Sequence, residues 1–217
     1  MALLNNLSSA LIQKGKHPSG IGRWTYATIL GRNNTKTTVF NVYRPGKMKV
    51  KDAGSSTVIK QQCIMMQQQG RDEHPHNATL NDLVKAIQQK QKYNNEIILT
   101  IDGNEPFLSS MGGMAILCRK CKLHDPFTHQ HGDAVKGPSH INGFHRIDYI
   151  FFSLKIIDSI LVCGATTFHD ITTSDHKVFF LDVDRNSLLK DKKSAATSPF
   201  DRSLQTFNLQ VIRNYKN

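Results

Sequence analysis

The first pattern along the chain is helical. Leu3, Leu4, Leu7 and Leu11 recur at spacings of three and four, with Ser8 and Ser9 between them. The run closes at Lys14-Gly15-Lys16, with Pro18 and Gly20 beyond. The period then changes. Residues 23–30 (RWTYATIL) and 37–43 (TTVFNVY) are aromatic and β-branched, as strands are. Gly31-Arg32-Asn33-Asn34 between them is turn chemistry, so an antiparallel hairpin is predicted, closed by Pro45-Gly46. Residues 57–69 read as a helix. After a polar stretch, Leu80, Leu83, Val84 and Ile87 mark an amphipathic helix running to about Tyr93, with Asn77 or Thr79 as its cap.

Residues 96–101 (EIILTI) form a short continuous apolar run, expected to be a strand buried on both faces. Residues 111–123 are predicted helical, with Met114, Leu117, Cys118 and Cys121 on one side. Residues 124–143 are polar and rich in Gly, His and Pro, hence a long loop of the kind that often carries function. Residues 146–153 (RIDYIFFS) read as a strand, as do 156–163 and 177–183. Residues 185–199 read as a basic linker, and 200–215 as a short docked helix or extra segment.

Strands, two helices, a strand, a helix and further strands make an α/β (α+β) layered domain. No Gly-rich phosphate loop follows a strand, which excludes a doubly wound dinucleotide fold. At 217 residues, with 39% apolar and 21% charged, the chain can bury a core and is neither fibrous nor low-complexity. No apolar run reaches the roughly 18 residues of a membrane span. The opening lacks the basic region of a secretory signal, so a nuclear or cytoplasmic protein is expected. Four cysteines without such a signal suggest free thiols. Lys and Arg total 28 against 17 Asp and Glu, a net charge of +11, which favours a polyanionic partner, nucleic acid first and acidic membranes second.

Candidate chemistry sits where strands end. Tyr43-Arg44-Pro45 follows the hairpin, and Asp102-Gly103-Asn104-Glu105 follows the apolar strand. Asp148 lies inside an otherwise apolar strand, where a carboxylate is costly without a partner such as a histidine. Ser174-Asp175-His176 precedes the last strand.

In this order the segments resemble the endonuclease/exonuclease/phosphatase superfamily, the fold of apurinic-site endonucleases and of the endonuclease domains of non-LTR retrotransposons. Residues 22–24 (GRW) with the hairpin up to 41–45 (NVYRP) look like its strand pair ending in Tyr-x-Pro. Residues 97–105 (IILTIDGNE) look like the strand before Gly-Asp-x-Asn, 123–126 (LHDP) like Leu-x-Asp, 146–153 like Arg-Ile-Asp-Tyr-Ile, and 174–176 like Ser-Asp-His. The resemblance spans residues 20–184, leaving 1–19 outside it and 185–217 as linker and tail. It implies a four-layered αββα sandwich with its site at the strand ends, here a partial one.

The resemblance also implies roles. Asp175 would hold Mg²⁺ or Mn²⁺. His176 would contact the scissile phosphate or activate water, with Asp148 orienting its ring. Asp102 would orient the water or protonate the leaving group. Asn104 and Tyr43 would hold phosphate oxygens, with Arg44 beside them. Two departures stand out. The family's early Asn and metal-binding Glu find no match, residues 1–19 having neither Asp nor Glu, so an amino-terminally truncated, catalytically impaired domain is expected. Ile101 stands where the family has Gly before its Asp, and Gly103 follows instead. Residues 198–215 resemble the connector to a reverse transcriptase, which would be a partner domain in a parent element.

Two other readings stand beside this one. Cys118-x-x-Cys121 followed by His124, His129 and His131 is a zinc-ligand-like set, although Cys118 and Cys121 sit at helical spacing as core residues would. A basic DNA-binding remnant without turnover is the other.

Overall fold

The computed structural model describes residues 10–20, 22–107, 110–132, 137–184 and Leu188. The hairpin forms as its sequence predicts. β2 (Trp24–Leu30) and β3 (Lys36–Tyr43) pair antiparallel without a slip, from Trp24 opposite Val42 to Leu30 opposite Lys36. Their turn places Asn33 and Asn34 at φ 53° and 60°, a left-handed geometry that Asn tolerates.

Leu11 does not extend a helix. It opens β1 (Leu11–Lys16), an edge strand antiparallel to β2, so the sheet begins before residue 20. The expected amino-terminal helix up to residue 9 lies outside the described residues, as do the linker and tail except Leu188. Gly15 permits this pairing, because a Cβ there would stand 2.6 Å from the Tyr26 ring.

Two helices follow β3. α1 (Val58–Gln68) is capped by Thr57, whose Oγ accepts from the Lys60 N–H. α2 (Pro75–Lys92) starts at Pro75 rather than near Leu80, and His74 is its cap in place of Asn77 or Thr79. Proline suits a first turn, where its missing N–H costs nothing. The helices cross over to β4 (Asn95–Asp102), which runs parallel to β3. α3 (Gly113–Cys121) and the short β5 (Leu123–His124) come next.

The expected loop after residue 124 holds a helix, α4 (Pro126–His131), which Asp125 caps through its carboxylate on the Phe127 N–H at 3.1 Å. β6 (Asp148–Ser153) pairs antiparallel with β4 and β5. One helical turn, α5 (Leu154–Ile157), occupies the start of the expected strand over 156–163, and β7 begins only at Ile160. β7 (Ile160–Ala165) and β8 (Phe179–Val183) form a separate antiparallel pair.

The main sheet has the order β1-β2-β3-β4-β6-β5. Alternation sorts its side chains. Trp24, Phe40, Val42, Ile97, Leu99, Ile101, Tyr149 and Phe151 share one face and form the core with Leu83, Val84 and Ile87 of α2 and Met114, Leu117 and Cys121 of α3. On the other face Phe152, Ile98 and Ile150 pack with Ile156, Ile160 and Leu181, which seats the small sheet there. β4 is therefore fully buried on its helix side only. Glu96, Ile98, Thr100 and Asp102 on its other side are half-exposed, which corrects the expectation of two buried faces. The result is an α/β sandwich of flanking helices, a mostly antiparallel sheet and a second small sheet.

Candidate active site

The site grows out of strand register. Tyr43 is opposite Asp102 across β3–β4, and Asp102 is opposite Asp148 across β4–β6. The three side chains thus line up on neighbouring strands, on the face away from the helices. His176 joins them through Nδ1, 2.8 Å from Asp148 Oδ2. Asp175 and His176 come from the segment before β8, which is bonded to the segment before β6. Ile141 N–H donates to Asp175 O and Lys177 N–H to Ser139 O, each at 2.8 Å. Buried Ser139 continues the link, its Oγ accepting from the N–H of Ile147 at 2.9 Å and of Asp148 at 3.2 Å.

Asn104 completes the group. Its φ of 47° turns the chain sharply after β4, its N–H donates to Asp102 Oδ1 at 3.2 Å, and its Nδ2 donates to Arg44 O at 2.7 Å. Gly103 is required by close approach. Its N–H donates to Ile147 O, and a Cβ would stand 2.8 Å from Met114 Sδ. Ile101, one step back, points into the core at 3% exposure. The glycine therefore follows the carboxylate here because crowding falls on that position.

Electrostatics differentiate the carboxylates and the ring. Burial, and next the charge of Asp148, push the Asp102 carboxyl above the usual range. Burial, and then Asp102, raise the Tyr43 phenol. For His176, burial disfavours the charged ring, but the Asp148 hydrogen bond and charge outweigh it, helped by Asp102 and Asp175, and its pKa is raised. Asp175 is the open member, its side chain 63% exposed, with His140 Nε2 3.2 Å from its carboxylate.

Tyr43, Asp102, Asn104, Asp148, Asp175 and His176 are thus gathered at one rim. Arg44 is not presented there. It is 2% exposed, with Nη1 2.5 Å from Glu105 Oε2 and Nε donating to His76 O at 3.0 Å, so its guanidinium faces protein, correcting its reading as a substrate contact. Glu105 in turn accepts from the Gly113 N–H at 2.7 Å at the start of α3. This pair braces the turn that aims Asn104.

The zinc-like set does not converge. Cys118 and Cys121 point into the core, where burial raises both thiols, Cys121 to about 12. His131 instead bonds Cys163 O through Nε2 at 2.9 Å, docking α4 on β7. Among the described residues the one metal-compatible cluster of His, Cys and acidic groups is His140, Asp175 and His176. Sequence reasoning missed His140 and Ser139. Both lie in a loop of many polar residues, and no period or spacing marks them.

No family model matches the chain, and no curated protein matches it. Solved structures do. The 3′-5′ exonuclease NExo from Neisseria meningitidis aligns with 14% identity and a TM-score of 0.52, over 80% of this chain and 72% of that one. An AP endonuclease from Archaeoglobus fulgidus aligns with 16% identity and a TM-score of 0.52, over 80% and 71%. A 3′ phosphatase from Neisseria bound to a product DNA hairpin gives 13% and 0.51, also over 80% and 71%. The chain has the fold of these endonuclease/exonuclease/phosphatase-type structures.

Proposed function

We propose that this chain is a metal-dependent phosphodiesterase acting on DNA, an endonuclease of retroelement type. The observation that carries the reading is the line Tyr43–Asp102–Asp148 in strand register, with His176 held on Asp148, in a fold whose solved counterparts include an exonuclease, an AP endonuclease and a DNA-bound phosphatase. The net charge of +11 supports a polyanionic substrate. The retroelement type rests on the sequence motifs and on residues 198–215, which lie outside the described residues.

Hydrolysis forms one P–O bond to water and breaks another to the leaving oxygen. Asp148 keeps the Nδ1 proton of His176 in place, so Nε2 is the atom that receives a proton from water or meets a phosphate oxygen. Asp102, with its raised pKa, is suited to carry a proton to the departing oxygen. The Tyr43 hydroxyl and the second Nδ2 hydrogen of Asn104 donate to phosphate oxygens. The exposed Asp175 carboxylate is a hard oxygen donor of the kind that fits Mg²⁺ or Mn²⁺. When bound, such an ion neutralises charge developing on the phosphate.

In a plasmid-nicking assay with Mg²⁺, His176→Ala and Asp175→Ala each reduce the rate by about a hundredfold or more. Undiminished cleavage by either variant refutes the site. A second reading, DNA binding with little or no turnover, draws on the half-open sheet face, where Thr25, Asn41 and Tyr43 are exposed. Salt-sensitive binding without nicking in Mg²⁺ would favour it.

A further inference from the structure

We propose that His140, Asp175 and His176 form a binding site for a borderline divalent transition metal, with Zn²⁺ as its type. The three ligand atoms lie within 4.8 Å of one another, and His140 Nε2 and Asp175 Oδ2 are already 3.2 Å apart. Ligands around one tetrahedral Zn²⁺ are separated by about 3.4 Å, given bonds of about 2.0–2.1 Å, so only a small closure is needed.

The scaffold is set by backbone rather than by the side chains. His140 and His176 form an antiparallel bridge, flanked by the Ile141 N–H to Asp175 O and Lys177 N–H to Ser139 O bonds. The two rings stand edge-to-face with centroids 4.9 Å apart. Asp148 supplies the outer support. Its carboxylate engages His176 Nδ1, which fixes the proton there and leaves the Nε2 lone pair for a metal.

His140 must adjust. Its Nδ1 accepts from the Asn142 N–H at 3.1 Å, which leaves the ring proton on Nε2, where it faces Asp175. Ligation through Nε2 moves that proton to Nδ1 and releases the Asn142 N–H, an exposed group that water can serve. Two imidazoles and one carboxylate suit Zn²⁺, Co²⁺ or Ni²⁺, whereas Mg²⁺ takes oxygen ligands. The consequence for turnover rests on the function proposed above: Zn²⁺ in this site engages Asp175 and His176 and so opposes Mg²⁺-supported nicking. The binding itself does not rest on it.

The test is a calorimetric titration of Zn²⁺ into the full chain carrying Cys63→Ser, since Cys63 is the half-buried thiol among the four. One site is expected, and adding His140→Ala or Asp175→Asn weakens it by tenfold or more. ¹⁵N NMR of the parent chain needs no further variant. Zn²⁺ should shift the ring nitrogens of His140 and His176 together with the Asn142 amide. Equal affinity in His140→Ala, unmoved ring signals, or Mg²⁺ binding as tightly as Zn²⁺ overturns the proposal. Because no DNA is present, its failure is distinct from a failure to nick.

Discussion

A carboxylate between Ile147 and Tyr149 announces a partner, and Asp148 has one in His176. The folded chain favours the protonated ring relative to the ordinary histidine value of 6.5. The sign follows. This pair's stability is fully present below 6.5 and is lost as pH rises through the higher folded value. An NMR titration of the His176 ring should give a midpoint above 6.5, and Asp148→Asn should lower it, because burial then acts without the counter-charge. A midpoint unmoved by Asp148→Asn would break the pairing argument. Residue-level reading succeeded where a side chain is chemically out of place, as with Asp148. It failed for Arg44, whose neighbours in sequence suggest a substrate contact while its guanidinium is taken by Glu105, 61 positions further along the chain.

Between elements, a buried ion network joins the hairpin to the helices. Arg23 is fully buried, and its Nη1 lies 2.7 Å from Asp82 Oδ2 on α2. Arg71 Nη1 reaches the same oxygen at 2.7 Å, and Arg23 Nε donates to Gln62 of α1 at 3.3 Å. Removing Asp82 would leave the Arg23 charge buried without its counter-ion, so Asp82→Ala should destabilise the fold by about 3 kcal/mol, measured as a lower urea midpoint at unchanged slope. A shift under about 0.5 kcal/mol, the size typical of a surface substitution, would show that the network is only decorative. Element existence was legible wherever periodicity was sustained, as in β2, β3, α1 and α2. The start of β7 was not, because Ile156 and Ile157 look like strand residues but close the α5 turn (Leu154–Ile157), and Asp158-Ser159 separates them from the strand.

For the whole molecule, the excess of positive charge makes a statement about association. Binding to duplex DNA of arbitrary sequence should weaken by at least about tenfold between about 50 and 200 mM salt, read by fluorescence anisotropy. A salt-independent affinity would remove the phosphate backbone as the partner. The order of the motifs already pointed to the sandwich. What it left open was the uneven coverage of the sheet: helices on one face, and on the other a two-stranded sheet at the β4–β6 side with Thr25 and Asn41 exposed.

Sequence alone determined the hairpin, the principal helices and the strand-end positions of Tyr43, Asp102, Asp148 and His176, because alternation, helical period and turn chemistry are local. Tertiary structure decided what depends on distant partners. Register set Tyr43, Asp102 and Asp148 side by side, burial turned Arg44 inward to Glu105, and the bridge between the segments before β6 and β8 placed His140 against Asp175. Such meetings join residues tens of positions apart, and no local period encodes them.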